Sequence, residues 1–312
     1  MLPEGMHFLR VEESIWPASA NVLLIRDHDG AILVDVGCGS EKAYSRVKDF
    51  LSAHGLRMAD VHTVILTHAH PDHMGAMKHL LQEISPRVFL HPLEIPLAAE
   101  PSRLNDTFDV GLPYRYGIIP TPPEEMDILE YFSDSCAMAS ARATDEIRTD
   151  VELVLGEFAF QVIETPGHAQ GLVSLFNREN GILFTADAVG DIVTWYSPSS
   201  GGFTRFLEGL DRLSRLPATL LLPSHGSPSK VPSREIERTR TRVLRREERV
   251  IKELVSGPIP FPDLVTRVFK HPLMAVFPGT QILQCHLDKL EMEGRVICRG
   301  EDEGWIVELV GK

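Results

Sequence analysis

The sequence predicts an α/β fold followed by a smaller, mainly helical unit, and two patterns support this prediction. Between residues 7 and 222, short apolar segments of strand character alternate with segments of helical periodicity. After a loop rich in Ser, Pro and Gly at 224–232, a long charged helix leads into further helices and two short strands. The 312 residues are enough for both parts. We therefore expect a main domain over 1–230 and a connecting helix with a small domain over 231–312.

The main domain begins with strands. Asn21–Arg26 and Ala31–Asp35 are apolar and flank the turn signal Asp27-His28-Asp29-Gly30, which predicts a β-hairpin. The elements expected after it are a helix at 41–55, a strand at 61–66, a helix at 72–84 and a strand at 88–90.

Residues 101–150 have an irregular apolar pattern and prolines at 101, 113, 120, 122 and 123. We interpret this stretch as an insertion that is partly helical over 124–148. Segments of this length are either surface elaborations with a small core of their own or mobile parts of a binding site, here a substrate lid. The sequence leaves both interpretations open.

The rest of the chain returns to regular elements. Strands are expected at 158–163, 172–177, 182–185 and 219–222, with a helix at 203–215. Beyond residue 232, the expected elements are helices at 233–256, 261–270 and 279–293 and strands at 296–299 and 304–309. Three helices followed by a two-stranded wing are typical of a winged-helix domain.

Composition narrows the class of protein. The hydrophobic share is 43%, and no apolar run approaches the roughly 20 residues of a membrane span. The N-terminal residues lack a basic start followed by an apolar core, so we expect no signal peptide and no membrane partner. The four cysteines are scattered, which predicts neither a disulfide framework nor a thiolate metal site. Together these features predict a cytoplasmic protein.

The net charge of −13 is unevenly distributed. Residues 230–312 carry 15 Lys and Arg against 13 Asp and Glu, whereas residues 1–229 carry 16 against 31. An acidic main domain repels a phosphate backbone at long range, so nucleic acid is not favoured as a partner.

The strongest chemical signal is Thr67-His68-Ala69-His70-Pro71-Asp72-His73-Met74-Gly75. His68 and His70 lie two residues apart at the end of a strand, so their side chains share a face. The turn into the next helix brings Asp72 and His73 toward the same region. Imidazole nitrogen and carboxylate oxygen are ligands that zinc and related metals favour.

Three isolated residues extend this set. His168, Asp187 and His225 each follow an apolar strand and are flanked by Gly, Ala or Ser. Because strand ends at one edge of a sandwich converge, we expect these side chains to meet the first group.

On these residues the sequence resembles the metallo-β-lactamase superfamily, an αββα sandwich, over roughly residues 7–230. The resemblance implies that His68, His70 and His168 bind one metal ion, that Asp72, His73 and His225 bind a second, and that Asp187 bridges both. Asp35 matches a carboxylate that orients ligand imidazoles in the family. No cysteine replaces a ligand and no glutamate replaces His70. Both absences favour the hydrolase branch.

The ligand set implies two divalent metal ions, with zinc as the first choice and iron or manganese as alternatives. Two such ions would share a bridging hydroxide that attacks a carbonyl or phosphorus centre. Asp72 is the expected catalytic residue, since it could orient the nucleophile or relay a proton.

The C-terminal segment Cys285–Val296 resembles the winged-helix tail of the β-lactamase-like protein 2 group, some members of which cleave single-stranded RNA. Here the 279–293 helix carries more acidic than basic residues, which favours a structural or dimerising tail and leaves a homodimer open. The arginine-rich helix 233–256 is either a solvated, salt-bridged helix or a site for an anionic group. Six aromatic side chains either line a pocket or pack in the core: Tyr114, Tyr116, Tyr131, Phe132, Trp195 and Tyr196.

Three functions follow from these interpretations. The first is hydrolysis of a small-molecule ester, thioester or lactone by two metal ions. The second is a metal-dependent endoribonuclease. The third is an iron-dependent sulfur dioxygenase, which the complete second ligand group disfavours.

Overall fold

The structure is a computed structural model that describes residues 2–13, 17–191, 193–301 and 304–311. Within these residues, the first sheet has six strands in the order β1 to β6. Their bounds are β1 Met6–Leu9, β2 Val22–Asp27, β3 Gly30–Val34, β4 Val61–Ile65, β5 Arg87–Leu90 and β6 Asp145–Glu146. The β1, β2 and β3 pairings are antiparallel, whereas β3 to β6 pair in parallel.

The second sheet has five strands among the described residues, in the order β11-β10-β9-β8-β7. Their bounds are β7 Leu153–Leu155, β8 Phe158–Glu164, β9 Val173–Asn177, β10 Ile182–Ala186 and β11 Leu220–Pro223. The pairing of β10 with β11 is parallel and the others are antiparallel. The predicted hairpin of β2 and β3 is present, with Asp27 paired to Gly30.

The central strands are covered on both faces. Every residue of β9 and β10, and the first four of β2, are buried. Because successive side chains in a strand point to opposite faces, a strand buried at every position has a layer on each side. The apolar faces of α1 (Glu41–Ala53) and of the helix Gly202–Ser214 belong to the same core as both sheets. This is the layering of an αββα sandwich.

The helix expected over 72–84 is wrong as a single element. It is divided into α2 (Pro71–Met74) and α3 (Met77–Glu83). The division falls at Gly75, where close packing accounts for the residue type. A Cβ on Gly75 would lie 2.4 Å from the Gly39 nitrogen and from the Pro71 oxygen.

The insertion is helical earlier than expected. Its short helices, with one just before it, are α4 Ile95–Ala99, α5 Leu104–Thr107, α6 Leu112–Arg115 and α7 Ile128–Cys136. The expectation of helix over 124–148 therefore holds only for α7 and a single turn before it. Prolines lie at the starts of several of these segments, such as Pro96 in α4 and Pro113 in α6, because the fixed φ angle of proline suits the first turn of a helix.

The C-terminal part contains the long helix expected at 233–256 and the two shorter helices expected at 261–270 and 279–293. The helix Gly202–Ser214 is α8, and it is followed by α9 Pro232–Leu254, α10 Phe261–Val268, α11 Pro272–Val276 and α12 Gly279–Met292. Strands β12 Ile259–Pro260, β13 Val296–Glu301 and β14 Gly304–Leu309 form a sheet in the order β12-β14-β13. Neither β12 nor α11 was expected from the sequence.

Two apolar clusters hold the described residues together, and α9 and α12 contribute to both. Val243 and Ile282 pack in the main core, whereas Val250 and Leu287 pack in the smaller C-terminal cluster. Tyr116 of the insertion also belongs to the smaller cluster. The C-terminal elements thus pack against the sandwich and against the insertion. No described helix is long and apolar enough to cross a membrane.

The sequence did not suggest a disulfide framework, but two of the four cysteines are joined by a disulfide. Cys38, four residues after β3, forms a disulfide with Cys136 at the end of α7, while Cys285 and Cys298 are free. The two half-cystines are 98 residues apart in sequence. Their pairing depends on the folding of the insertion against the sandwich, which the spacing of the cysteines does not encode.

Candidate metal centre

The motif residues are placed by the junction between β4 and α2. His68 and His70 lie in the connection, and Pro71 begins α2 with the φ angle that a helix requires. Asp72 and His73 then lie on the first turn. The backbone of this turn is fixed from the first sheet, because the Val36 and Gly37 amides donate to the His73 carbonyl at 2.8 and 3.0 Å.

The other three residues come from strand ends of the second sheet. His168 follows β8, Asp187 directly follows β10 and His225 follows β11. Ala186 has a φ of 47°, a left-handed conformation that is uncommon for a residue with a side chain and that turns the chain at Asp187. Gly167 has a φ of 121°, and a Cβ there would lie 2.6 Å from that of Phe206. Only glycine fits beside His168.

All seven residues lie at one edge of the sandwich, in two groups. His68, His70 and His168 form one group, and Asp72, His73, Asp187 and His225 form the other. Within each group, one nitrogen or oxygen of every side chain lies within 4.8 Å of those of the others. These are the two sets that the resemblance implies.

Asp187 lies between the groups. Its Oδ2 is 3.3 Å from His168 Nε2, whereas its Oδ1 is 3.1 Å from His73 Nε2 and 3.5 Å from His225 Nε2. One carboxylate therefore has an oxygen facing each group, which is the arrangement that a bridging ligand requires.

Several nitrogen and oxygen atoms at this edge that could bind a metal ion are buried without a well-aligned hydrogen bond. Among the described residues, His68 Nε2, His73 Nε2, His168 Nε2 and Asp187 Oδ1 make no well-aligned hydrogen bond, although His73 Nε2 and Asp187 Oδ1 lie 3.1 Å apart. Each buried polar atom without a partner lowers the stability of the folded state by about 1–3 kcal/mol, so a cluster of such atoms indicates a ligand-binding site. Imidazole and carboxylate donors without a thiolate suit zinc, iron or manganese. The residues fit a metal centre.

The two groups differ in the direction in which their surroundings shift the pKa values of the histidines. Burial lowers the pKa of His68, His70 and His168, and neighbouring imidazoles lower those of His68 and His70 further. These histidines are neutral near pH 7, the form that binds metal ions.

The second group has the opposite balance. Burial acts to lower the pKa of His73 and of His225, but the carboxylates of Asp187 and Asp72, joined by Asp35 at His73, outweigh burial and raise the pKa of both. Burial likewise acts to raise the pKa of Asp187, but His73 and His225 lower it. Two carboxylates within one buried group favour a bound cation there.

Asp35 orients the motif, as the resemblance implies. It lies just after β3 with a φ of 57° and is fully buried. Its Oδ2 is 2.8 Å from His73 Nδ1, and its Oδ1 accepts from the Thr67 amide at 2.9 Å. The second bond holds the connection that carries His68, so one carboxylate positions both groups.

Glu94 is a positioning residue that the sequence analysis missed. It is fully buried before α4, where its Oε1 accepts from the Gly171 amide at 2.7 Å and its Oε2 from the Ala69 amide at 3.1 Å. Burial raises the pKa of Glu94, while these two bonds oppose the rise. Glu94 thus ties the segment of His68 and His70 to that of His168. An isolated glutamate before Ile95-Pro96 gives no signal in the sequence.

A pocket of about 720 Å³ opens over the two groups. His70, Asp72, His168, Asp187 and His225 lie at its base. Its lining also includes four charged residues, Arg10, Glu12, Glu13 and Asp191, and an aromatic wall of Phe108, Phe132, Trp195 and Phe277, whose rings contact one another. The Trp195 ring stacks on His70 at 5.6 Å, and its carbonyl is 3.3 Å from His168 Nδ1.

The aromatic residues singled out in the sequence have different environments. Phe132 and Trp195 line the pocket. Tyr116 stacks on Phe261 in the smaller cluster, and Tyr196 is buried with its hydroxyl 2.8 Å from His286 Nε2. Tyr114 is 46% exposed, and the Tyr131 side chain lies outside the described residues. Phe108 and Phe277, which complete the aromatic wall, were not singled out.

The pattern of the metallo-beta-lactamase superfamily matches residues 15–225. The chain belongs to this superfamily. Relatives in the superfamily include the probable metallo-hydrolase YqjP of Bacillus subtilis, which is 25% identical, with 94% of each chain covered. The Drosophila melanogaster beta-lactamase-like protein 2 homolog is 23% identical, with 92% of this chain and 87% of that protein covered.

A further superfamily relative is the acyl-coenzyme A thioesterase MBLAC2 of Gallus gallus. It is 24% identical over 72% of this chain and 79% of its own. Among solved structures, the metallo-beta-lactamase family protein TTHA1429 of Thermus thermophilus superposes with a TM-score of 0.79 at 24% identity. The match covers 99% of this chain and all of that one. The fold is therefore the mixed α/β fold of the superfamily, and the chain is a metal-dependent hydrolase.

Proposed function

We propose that this hydrolase cleaves a small carboxylic thioester, ester or lactone. The observation that carries the proposal is the pocket itself, which members of both groups of ligand side chains and an aromatic wall line together. Pockets that hold small molecules are mostly apolar with a few converging polar groups. The thioesterase name of one relative supports the same class of substrate.

The seven side chains would hold two divalent metal ions. We assign His68, His70 and His168 to one ion, Asp72, His73 and His225 to the other, and Asp187 to both, with zinc as the first choice. Such ions, when bound, lower the pKa of a water molecule toward neutrality and stabilise negative charge on the substrate oxygen. In the net reaction, water adds its oxygen to the carbonyl carbon and the C–S or C–O bond breaks. One proton of the water ends on the thiol or alcohol, the other is released to solvent, and the acid leaves as a carboxylate.

Asp72 is the proposed catalytic residue. Its side chain is 17% exposed toward the pocket, whereas that of Asp187 is 2% exposed. Asp72 Oδ2 is 3.2 Å from His225 Nε2, which fixes its orientation. A carboxylate held at the rim of the centre can orient the attacking water and accept its proton.

The two alternatives have less support. A ribonuclease needs a basic track, but Arg10 is the only Lys or Arg among the described residues that line the pocket. Several of the seven arginines of α9 make contacts within the fold, since Arg238 pairs with Asp191, Arg240 with Asp211, and Arg246 donates to the Thr194 carbonyl. A single-iron dioxygenase would leave the complete second group without a role.

We also propose that residues 1–230 and 231–312 form separate domains, and that the C-terminal one is winged-helix-like. The helices α10, α11 and α12 followed by β13 and β14 support this assignment. A structural or dimerising role suits its acidic α12 better than binding of nucleic acid.

A cytoplasmic location is likewise a proposal. The Cys38–Cys136 disulfide weighs against this location, because disulfides are rare in reducing compartments such as the cytoplasm. The redox state of these two cysteines in protein taken rapidly from cells is the measurement that tests it.

Metal analysis combined with a substrate panel tests the proposed function. Purified protein should hold close to two metal ions and should hydrolyse members of a panel of thioesters, esters and lactones. His70→Ala should abolish hydrolysis, while His28→Ala, at an exposed turn, should not. Efficient cleavage of single-stranded RNA at physiological salt, lost in His70→Ala, together with no ester or thioester hydrolysis, would replace this proposal by the ribonuclease.

A further inference from the structure

A second, apolar groove adjoins the catalytic pocket. Its volume is about 160 Å³, and its walls come from two distant segments. The insertion contributes Val110, Pro113, Met126 and Ile128, and the C-terminal part contributes Val276 and Phe277. Asp127 and Gln281 are the polar residues among the described ones that line it. A groove with so few polar groups suits a hydrocarbon chain better than a charged or hydrogen-bonding group.

Phe277 joins the groove to the catalytic pocket, because it lines both. Its ring lies 5.8 Å from that of Phe108, in a stacked arrangement, and 5.5 Å from that of Trp195. Trp195 in turn stacks on His70. A continuous aromatic surface thus runs from a candidate metal ligand to the mouth of the groove.

We propose that this groove binds the distal part of a linear acyl chain whose thioester or ester lies at the metal centre. The inference rests on the proposed function for the reaction, and it adds a substrate class, acyl compounds of medium chain length. An occupant that starts at the metal centre and follows the aromatic wall reaches the groove at Phe277. Phe277, Val276 and Met126 are then specificity-determining residues.

The groove also gives the insertion and the C-terminal part a common role. Neither forms the groove alone, because one wall comes from residues 110–128 and the other from 276–281. The two segments are held together near the groove, where the Gln281 side chain donates to the Asp109 carbonyl at 3.1 Å. The insertion is on this basis a wall of the acyl site.

The test uses saturated thioesters of N-acetylcysteamine with acyl chains from butyryl to decanoyl. A buried methylene contributes about 0.8 kcal/mol, so kcat/KM should rise about fourfold for each added methylene until the groove is full. Val276→Trp and Met126→Trp fill the groove from opposite walls and should remove this rise. Leu273→Trp is the matched control, since Leu273 lies on the same short helix as Val276 and is 66% exposed.

Calorimetric titration with the free acids, butyrate to decanoate, measures the groove without any turnover. Affinity should increase with chain length in the wild type and in Leu273→Trp, but not in the two groove-filling variants. Chain-length-dependent binding without hydrolysis would sustain the groove and refute the proposed reaction. Hydrolysis without any dependence on chain length, or a dependence that survives both Val276→Trp and Met126→Trp, would overturn the acyl site and leave the proposed reaction standing.

Discussion

The loops that carry the seven candidate ligands and the aromatic wall that faces them are held in place by different interactions. Two of the loops, that of His68 to His73 and that of His168, are fixed by directional polar contacts with buried carboxylates. Asp35 binds Thr67 and His73, and Glu94 binds the amides of Ala69 and Gly171. The wall consists of the rings of Phe108 after α5, Phe132 in α7, Trp195 after β10 and Phe277 after α11. The centroids of contacting rings lie 4.9 to 6.1 Å apart.

This difference has a consequence for function. Hydrogen bonds fix a ligand atom to within tenths of an ångström, which metal binding requires. Ring packing tolerates exchange of one apolar side chain for another of similar volume. We therefore expect changes at the loops to alter metal content, and changes at the wall to alter which substrate is accepted.

The largest effect should come from Asp187→Ala. Its carboxylate faces both groups, so its loss should remove most of both metal ions and reduce kcat/KM by more than about a hundredfold, the upper range for loss of an outer partner. Elemental analysis with steady-state kinetics measures both. Asp191→Ala is the control, because Asp191 lines the same pocket but belongs to neither group. Retention of two ions by Asp187→Ala would refute the bridging assignment.

The Cys38–Cys136 disulfide is the next test, because it joins α7, which carries Phe132 of the wall, to the segment after β3, whose Gly37 amide donates to the His73 carbonyl. Closing a loop of 98 residues predicts that Cys136→Ser lowers the free energy of unfolding by about 2–4 kcal/mol. Urea denaturation measures this change, and metal content should stay unchanged because neither cysteine is a candidate ligand. Cys298→Ser, at a free cysteine, should leave the free energy of unfolding unchanged. Four reactive thiols in the unfolded but unreduced wild-type protein would show that the bond does not form.

Glu94→Gln should have the smallest of the three effects. It sharpens the comparison of loops and wall, because it should alter metal affinity without altering substrate preference. The amide keeps the size of the side chain but places an NH₂ group against a backbone N–H donor, either that of Ala69 or that of Gly171. We expect metal affinity to fall about tenfold, the lower range for outer partners, with chain-length preference unchanged. Competition with a chelator gives the affinity. Glu164→Gln, at a 46% exposed carboxylate, serves as the control and should bind metal like the wild type.

Much of the fold was predictable because its signals are local. Strands β2, β3, β4, β9 and β10 and helices α1, α8, α9 and α12 were expected within a few residues of their observed bounds. Each has a period of 2 or 3.6 residues, or a continuous apolar run, that can be identified in a short window. The elements that were missed or wrong, such as α11, β12 and the single helix over 72–84, are short or depend on close packing.

By itself, the sequence determined the order of strands and helices and placed imidazole and carboxylate side chains at strand ends. Only the tertiary structure decided which segments meet. It put one oxygen of Asp187 toward each group, placed Glu94 against the amides of Ala69 and Gly171, and brought Phe277 within 5.8 Å of Phe108. These contacts join residues that are 19 to 169 positions apart. Periodicity reports which face of an element is buried, but the partner of that face is set by the packing of the whole chain.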